Sequence, residues 1–317
     1  MALIADPSLK VAIVSGGTSL EASVSRNSAA GVERALLRHY PSTKNFELTS
    51  TLIEALQDFQ PDVVFPVLHG PPGEDGTFQG LLEMMQLPYV GSDVHASALA
   101  MDKIAAKGLF ANFGLPLAKQ YILNRDQFQA QQIDACLAEL GLSVVVKPVS
   151  QGSALGVTRT EGREALSQAV ADAFEQNAQL LIEERIFGRE VTVGVLERQH
   201  DLEAFPVIEI LTPDNTWYDF DHRYTPGAST HIMPAELPDT LSLALQKAAV
   251  VAHRALGCRD LSRTDFIVDQ NLRFVVLEVN SLPGMTATSL YPEGAQGLGL
   301  AFDELLIELV ERAYRRR

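Results

Sequence analysis

A chain of 317 residues, 46% of them apolar, can build two or three lobes with real cores and is too apolar for wholesale disorder. Its net charge of −15 argues against nucleic acid or a membrane surface as partner, so an anionic ligand would need local lysine, arginine or metal. Two cysteines, Cys136 and Cys258, in no CxxC or zinc spacing, exclude a disulfide scaffold. The opening MALIADPSLKVAIVSGG lacks a basic segment followed by a long apolar one, and no apolar run is long enough to span a bilayer; the chain reads as a cytoplasmic protein.

Lys10–Ser15 (KVAIVS) reads as a strand ending in Gly16-Gly17, followed by a helix over Ser25–Arg38. Strand, glycine turn and helix open an α/β domain. Asp62–Leu68 (DVVFPVL) reads as a second strand, although Pro66 is awkward in a central one. It leads into His69-Gly70, a helix at Leu81–Met85 and a short strand at Pro88–Val90. Ala96–Phe113 reads as one helix, stopped by Gly114 and Pro116. Strands at Tyr121–Leu123, Ser143–Lys147 and Gln179–Glu183, with helices at Asp126–Leu140 and Arg163–Asn177, form a second lobe with its own alternation. The last third carries strands at Glu190–Leu196, Phe205–Ile210, Phe266–Val268 and Arg273–Glu278, and helices at Leu241–Leu256 and Phe302–Tyr314. The polar stretch Thr212–Ala235 between them is long enough to suggest a functional loop.

Residues two apart in a strand face the same side, so Glu278 and Asn280 point together. A two-residue turn at Asn271-Leu272, or a four-residue loop, sets Asp265 opposite Glu278; a three-residue loop does not. Leu272 suits a tight turn poorly, because such turns want positive φ. In that register Asp265, Glu278 and Asn280 form an all-oxygen cluster suited to Mg²⁺ or Mn²⁺. The other reading of these residues is an Asp-Glu pair on a solvated hairpin, with Asn280 starting a turn. Upstream, Val144-Val145-Val146 delivers Lys147 into VSQGSALG, a loop whose N–H groups could surround phosphate oxygens. It is not a P-loop motif, and an ordinary glycine turn is the other reading. Gly16-Gly17-Thr18 before a helix has the same two readings.

Eight stretches occur in one order along nearly the whole chain: GGTSLEASVS (16–25), LHG followed by GEDGTFQG (68–80), MDK (101–103), KP with GSALGV (147–157), GRE (188–190), RYTPGASTHIMPAEL (223–237), RTDF (263–266) and EVNSLPGMT (278–286). In these the chain resembles the D-alanine–D-alanine ligases of the ATP-grasp superfamily. The resemblance implies a three-lobed α/β ATP-grasp fold with an N-terminal pre-ATP-grasp domain: residues 1–96 for substrate, 97–187 for the central lobe, and 188–317 for the last lobe with metal site and lid. It implies ATP between the middle and last lobes, phosphorylation of one D-alanine carboxylate, and attack of a second D-alanine amine on the acyl phosphate. Two Mg²⁺ or Mn²⁺ ions would be held by Asp265, Glu278 and Asn280.

By motif position, Glu21 would receive the first ammonium and form a triad with Ser153 and Tyr224, the latter on a lid excluding water. Lys103 and Lys147 would contact the phosphates. Glu183, Glu184, Ile186 and Glu190 would line the nucleotide pocket, Glu190 on the ribose. Arg263 and the amide of Gly284 would steady the oxyanion. Ser289 and Leu290 would take the second carboxylate, with Arg223 nearby, and His69 would sit near the first substrate. A homodimer, peptidoglycan precursor synthesis, and no nucleic acid or membrane partner complete the expectation.

Some positions depart from the family pattern. Arg223 stands where lysine is usual, Ala154 where a second serine is frequent, and Ser281 where threonine is. Pro71-Pro72 stiffens the loop after His69, and Tyr40–Thr49 shows no clear second strand, so the first lobe reads as shortened. These leave open a ligase of the superfamily making another dipeptide or a depsipeptide. A regulatory protein that binds nucleotide without catalysis would lack a metal ligand or Lys147, and this chain has both.

Overall fold

The computed structural model describes residues 3–152, 154–198, 201–213, 218, 222–223, 225, 227–286 and 289–316. The first sheet is parallel, with β1 (Lys10–Ser15) between β2 (Ser42–Glu47) and β3 (Val63–Pro66). β1 is buried from Val11 to Ser15. β2 corrects the expectation of a shortened lobe. The sequence hides it because it is an edge strand, and only Phe46 of its six residues is buried. Pro66 is tolerated at the end of β3: Val67 N donates to Val14 O of β1, so the neighbouring Pro66 position faces away from the ladder. Helices α1 (Ala22–Leu36), α2 (Leu52–Phe59) and α3 (Thr77–Met84) cover this sheet.

The expected single helix over Ala96–Phe113 is two: α4 (Val94–Met101) and α5 (Lys103–Asn112). Asp102 is extended, and its carboxylate accepts from Ile104 N and Ala105 N, both at 2.9 Å. It therefore caps a new helix rather than continuing the old one. The restart places Lys103 in the first turn of α5.

The second sheet is antiparallel, in the order β4-β7-β5-β6, from β4 (Gln120–Asn124), β5 (Ser143–Pro148), β6 (Thr158–Glu161) and β7 (Gln179–Glu184). On β5, Val144 and Val146 pack beneath α6 (Gln131–Leu140) and α7 (Gly162–Phe174), so the alternate residues Val145 and Lys147 face the other way.

The third sheet runs β11-β10-β8-β12-β13, with β9 also paired to β8. Its strands are β8 (Gly188–Arg198), β9 (Asp201–Ala204), β10 (Ile208–Leu211), β11 (Thr230–Ile232), β12 (Leu261–Asp269) and β13 (Phe274–Asn280). One face buries Val191, Val193, Phe266 and Val276 against α8 (Asp239–Leu256) and against Ala106 and Phe110 of α5. After α9 (Leu290–Gly297), α10 (Phe302–Arg315) returns to the first sheet, where Leu305 and Leu309 pack with Val11, Ile13 and Leu36.

The β12–β13 hairpin has the expected register at the site but reaches it differently. Asp269 N donates to Arg273 O at 2.8 Å and Leu272 N to Asp269 O at 3.0 Å, which makes a three-residue turn over Gln270–Leu272. Leu272 does adopt positive φ, at 61°. The Asp269 carboxylate steadies the turn, accepting from Asn271 N at 2.8 Å and Arg273 N at 2.9 Å. Alone, this turn would set Asp265 out of step with Glu278. A bulge at Leu277 absorbs the difference: Phe266 pairs with Val276, and Asp265 with Glu278.

Candidate functional site

The uncovered faces of the second and third sheets enclose a cleft lined by Lys103, Lys147, Glu183, Glu190, Arg223, Asp265 and Glu278. Two acidic side chains organise its cations. Glu183 of β7, 2% exposed, bridges Lys147 of β5 and Lys107 of α5, the latter at 2.5 Å. Lys107, 1% exposed, also donates to Val276 O at 3.2 Å. Burial alone would raise the Glu183 carboxyl, but Lys147 and Lys107 hold it at about 2. Burial pushes Lys107 down, opposed by Glu183. Glu278 of β13 pairs with Lys103 at 3.2 Å. Against the burial penalty, Lys103, Arg223 and Lys147 hold Glu278 at about 2. Glu278 is thus a fully ionised carboxylate beside two lysines aimed into one cleft.

Asp265 is held from three strands. Arg263 grips it bidentately at 2.9 and 3.0 Å, Thr192 Oγ1 of β8 donates at 2.6 Å, and Asn280 Nδ2 donates at 3.2 Å. Asp265, Glu278 and Asn280 therefore come together on one face as the sequence suggests. Among the described residues no group of three His, Cys, Asp or Glu side chains could hold a metal; the donors here are two carboxylates and one amide. An all-oxygen set with an ionised carboxylate fits a hard divalent cation.

Glu190 of β8 faces Arg223 at 3.8 Å. Burial raises its carboxyl to about 7, against the pull of Arg223. The Arg223 guanidinium lies 4.6 Å from the centre of the Tyr218 ring, and its buried Nε has no hydrogen-bond partner among the described residues. Glu184 Oε1 accepts from Lys119 N at 2.9 Å, and both Glu184 and Ile186 line the cleft.

Beside the cleft lies a smaller cavity bounded by Glu21, His69, Arg263, Gly284, Ser289 and Leu290. Glu21 stands at the N-terminus of α1 and is 3% exposed. Its Oε2 lies 3.3 and 3.5 Å from where side chains on Gly70 and Gly152 would begin, so three loops converge on one carboxylate. Ser25 fixes the first of them, accepting from Gly16 N and donating to Val67 O, both at 2.8 Å. Burial lowers the His69 pKa, keeping the ring neutral, and its buried Nε2 has no partner among the described residues. Gly284 is closely packed: a Cβ there would sit 2.8 Å from Ser289 Oγ. Ser289 Oγ accepts from Thr286 N at 2.9 Å at the head of α9. The expected positions Ser153 and Tyr224 lie outside the described residues.

Sequence reasoning missed Lys107, Thr192 and Glu74. Lys107 is one helical turn from Lys103, and Thr192 shares a strand face with Glu190, so both spacings were readable. A groove of about 920 Å³, larger than the cavities described above, lies elsewhere, along α1 and α9; size does not locate this site.

The chain is similar to known proteins over nearly its full length. The family described as D-ala D-ala ligase C-terminus matches residues 109–311, and D-ala D-ala ligase N-terminus matches 40–92. A D-alanine–D-alanine ligase of Halalkalibacterium halodurans is 40% identical over 309 residues, 97% of this chain and 100% of that one. The VanG D-Ala:D-Ser ligase of Enterococcus faecalis superposes with a TM-score of 0.82 at 30% identity, covering 96% of this chain and 99% of that one. The Bacillus anthracis D-alanine–D-alanine ligase complexed with ATP gives 0.81 at 29% identity, covering 98% of each.

Proposed function

The chain belongs to the D-alanine–D-alanine ligase family of ATP-grasp enzymes, and from that premise we propose that it joins two D-alanine molecules at the expense of ATP, feeding peptidoglycan precursor synthesis. The observation that carries this reading is the adjacency of two sites: a lysine-rich cleft around the ionised Glu278, and a cavity holding Glu21, Arg263 and Ser289. The first suits a nucleoside triphosphate and the second suits amino acids. The three separate sheets support a division into lobes 1–96, 97–187 and 188–317, with α5 and α10 packing across the proposed boundaries.

Lys103 and Lys147 contact the phosphates of ATP, while Glu183, Glu184, Ile186 and Glu190 line its nucleoside pocket. Asp265, Glu278 and Asn280 would hold two Mg²⁺ or Mn²⁺ ions, which would supply neutralisation of the phosphate charge. Glu21 receives the ammonium of the first D-alanine, braced by Ser153 and Tyr224, and neutral His69 lies against the same substrate. The first carboxylate takes the γ-phosphate, giving an acyl phosphate. Arg263 and the Gly284 amide stabilise the oxyanion as the second amine attacks. Ser289 Oγ and the Leu290 amide, at the head of α9, suit the second carboxylate. Catalysis by such a site is mainly positioning and charge stabilisation.

Arg223 favours a second reading, in which the second amino acid is not D-alanine. Arginine and lysine differ in reach and geometry, and this one stacks on Tyr218. A panel of D- and L-amino acids, scored by phosphate release and product mass, separates the two. D-Alanyl-D-alanine formed only with D-alanine, ATP and Mg²⁺ supports the first reading. Phosphate release with another amino acid supports the second, and ATP binding without release overturns both.

No helix among the described residues is long and apolar enough to cross a membrane. A homodimer in a bacterial cytoplasm is the assembly and location that the family resemblance supports. Light scattering of the purified chain tests the dimer.

A further inference from the structure

Glu74 is an acidic side chain of the site for which the roles above give no work. It sits in the loop after β3, its Oε2 accepting a 2.6 Å hydrogen bond from Gly70 N. It lines the cavity bounded by Glu21, His69 and Ser289, and also a second cavity bounded by Lys103, Gln151 and Glu278. Among the described residues only Gly152 and Asn280 also line both, and neither can accept a proton. Glu74 thus stands on the border between the amino-acid cavity and the phosphate side, where a phosphorylated carboxyl must meet its nucleophile.

The reaction brings two ammonium groups into this space. One must stay charged, and the other must become an amine before it can attack. Glu21 serves the first, and Arg263 supplies the positive charge opposite. On this ligase reading, we infer that Glu74 receives the ammonium of the second amino acid and takes a proton from it. One proton passes from –NH₃⁺ to the Glu74 carboxylate, leaving –NH₂. The nitrogen lone pair forms the C–N bond to the acyl-phosphate carbon, and the C–O bond to phosphate then breaks with its electron pair. The second nitrogen proton leaves with the departing phosphate, and Glu74 returns its proton to solvent.

The surroundings suit this work. Burial and the charge of Glu21 raise the Glu74 carboxyl to about 8, with Glu278 adding to the rise and the Gly70 N–H and Arg263 opposing it. Among the described residues, the titratable and charged groups that share its two cavities are Glu21 at the head of α1, Arg263 on β12, Glu278 on β13, Lys103 on α5, and Arg223 and Tyr218 from the loop after β10, with His69 in its own loop. An ammonium arriving beside Glu74 favours the ionised form of its carboxyl, the form that can take the proton.

Hydroxylamine provides the test. It attacks acyl phosphates as a neutral molecule and needs no base to strip an ammonium. Wild-type enzyme is assayed with D-alanine and ATP for dipeptide, and with hydroxylamine added for D-alanine hydroxamate; failure to make dipeptide at this stage refutes the ligase reading itself. Glu74→Gln, which can still accept from Gly70 N, is then compared. The inference predicts hydroxamate formation within about threefold of wild type while dipeptide kcat falls roughly 100-fold or more, the usual worth of a general base. Glu74→Asp should recover part of the dipeptide rate. Parallel loss of both products in Glu74→Gln, or retention of both, overturns it, as does Glu74→Asp behaving no better than Glu74→Gln.

Discussion

Asp265 and Glu278 face one another across β12 and β13 because a bulge at Leu277 corrects the step introduced by the three-residue turn at Gln270–Leu272. The pairing puts both carboxylates on the face that also presents Asn280, and the cleft it lines also holds Lys103 of α5 and Lys147 of β5. Glu278→Gln keeps the shape but removes the charge that holds Lys103 at 3.2 Å. It should lower turnover by roughly 100-fold or more and raise the Mg²⁺ concentration for half-maximal activity about 10–100-fold. Circular dichroism should stay unchanged. Normal turnover would remove Glu278 from the metal site.

Glu183 should be a stability determinant as well as a pocket residue. Glu183→Gln leaves Lys107 buried without its counter-charge, a change worth about 3–5 kcal/mol, measurable as a lower urea midpoint. Its carboxyl lies at about 2 against 4.5 when unfolded. The depressed value means the stabilisation is complete above pH 4.5 and is lost as pH falls from there towards 2. Glu278 acts in the same window. Glu74 and Glu190, raised to about 8 and 7, act oppositely and gain stability as pH falls from 8 to 4.5. Steep loss should therefore begin only below pH 4.5, and Glu183→Gln should flatten it. An acid limb unchanged in the variant would contradict the bridge.

Much of this was legible in the sequence, and the misses have physical causes. β1, β5 and β7 announce themselves because their inward residues are Val, Leu and Ile. β2 is silent because an edge strand needs only Phe46 inside. The Asp102 break was readable as an N-cap, yet apolar periodicity on both sides masked it. The Asp265–Glu278 pairing was anticipated through the wrong turn, since no local signal marks the bulge at Leu277. The lysine-Glu183-lysine bridge depends on α5 meeting β5 and β7, a tertiary fact that spacing within one element does not encode.

Arg223→Lys tests the departure from the family pattern. Lysine keeps the charge but loses the guanidinium that lies 4.6 Å from the Tyr218 ring centre. Such contacts are worth about 0.5–2 kcal/mol. The KM for the second amino acid should rise between about 2- and 30-fold with kcat little changed. An unchanged KM would remove Arg223 from the second subsite.

Gly284→Ala places a Cβ 2.8 Å from Ser289 Oγ. Ser289 must move, and its bond from Thr286 N at 2.9 Å must stretch. The variant should bind ATP normally yet show a KM for the second amino acid at least about tenfold higher, the effect of about 1.4 kcal/mol. Equal loss of ATP affinity would mean that the substitution disturbs the whole cleft.

The most direct measurement is a crystal structure with a non-hydrolysable ATP analogue and Mg²⁺. The account predicts oxygen atoms of Asp265, Glu278 and Asn280 about 2.0–2.1 Å from the ions, with Lys103 and Lys147 turned from Glu278 and Glu183 to the phosphates. Nucleotide bound elsewhere, or bound here with those three side chains directed away from its phosphates, would contradict it.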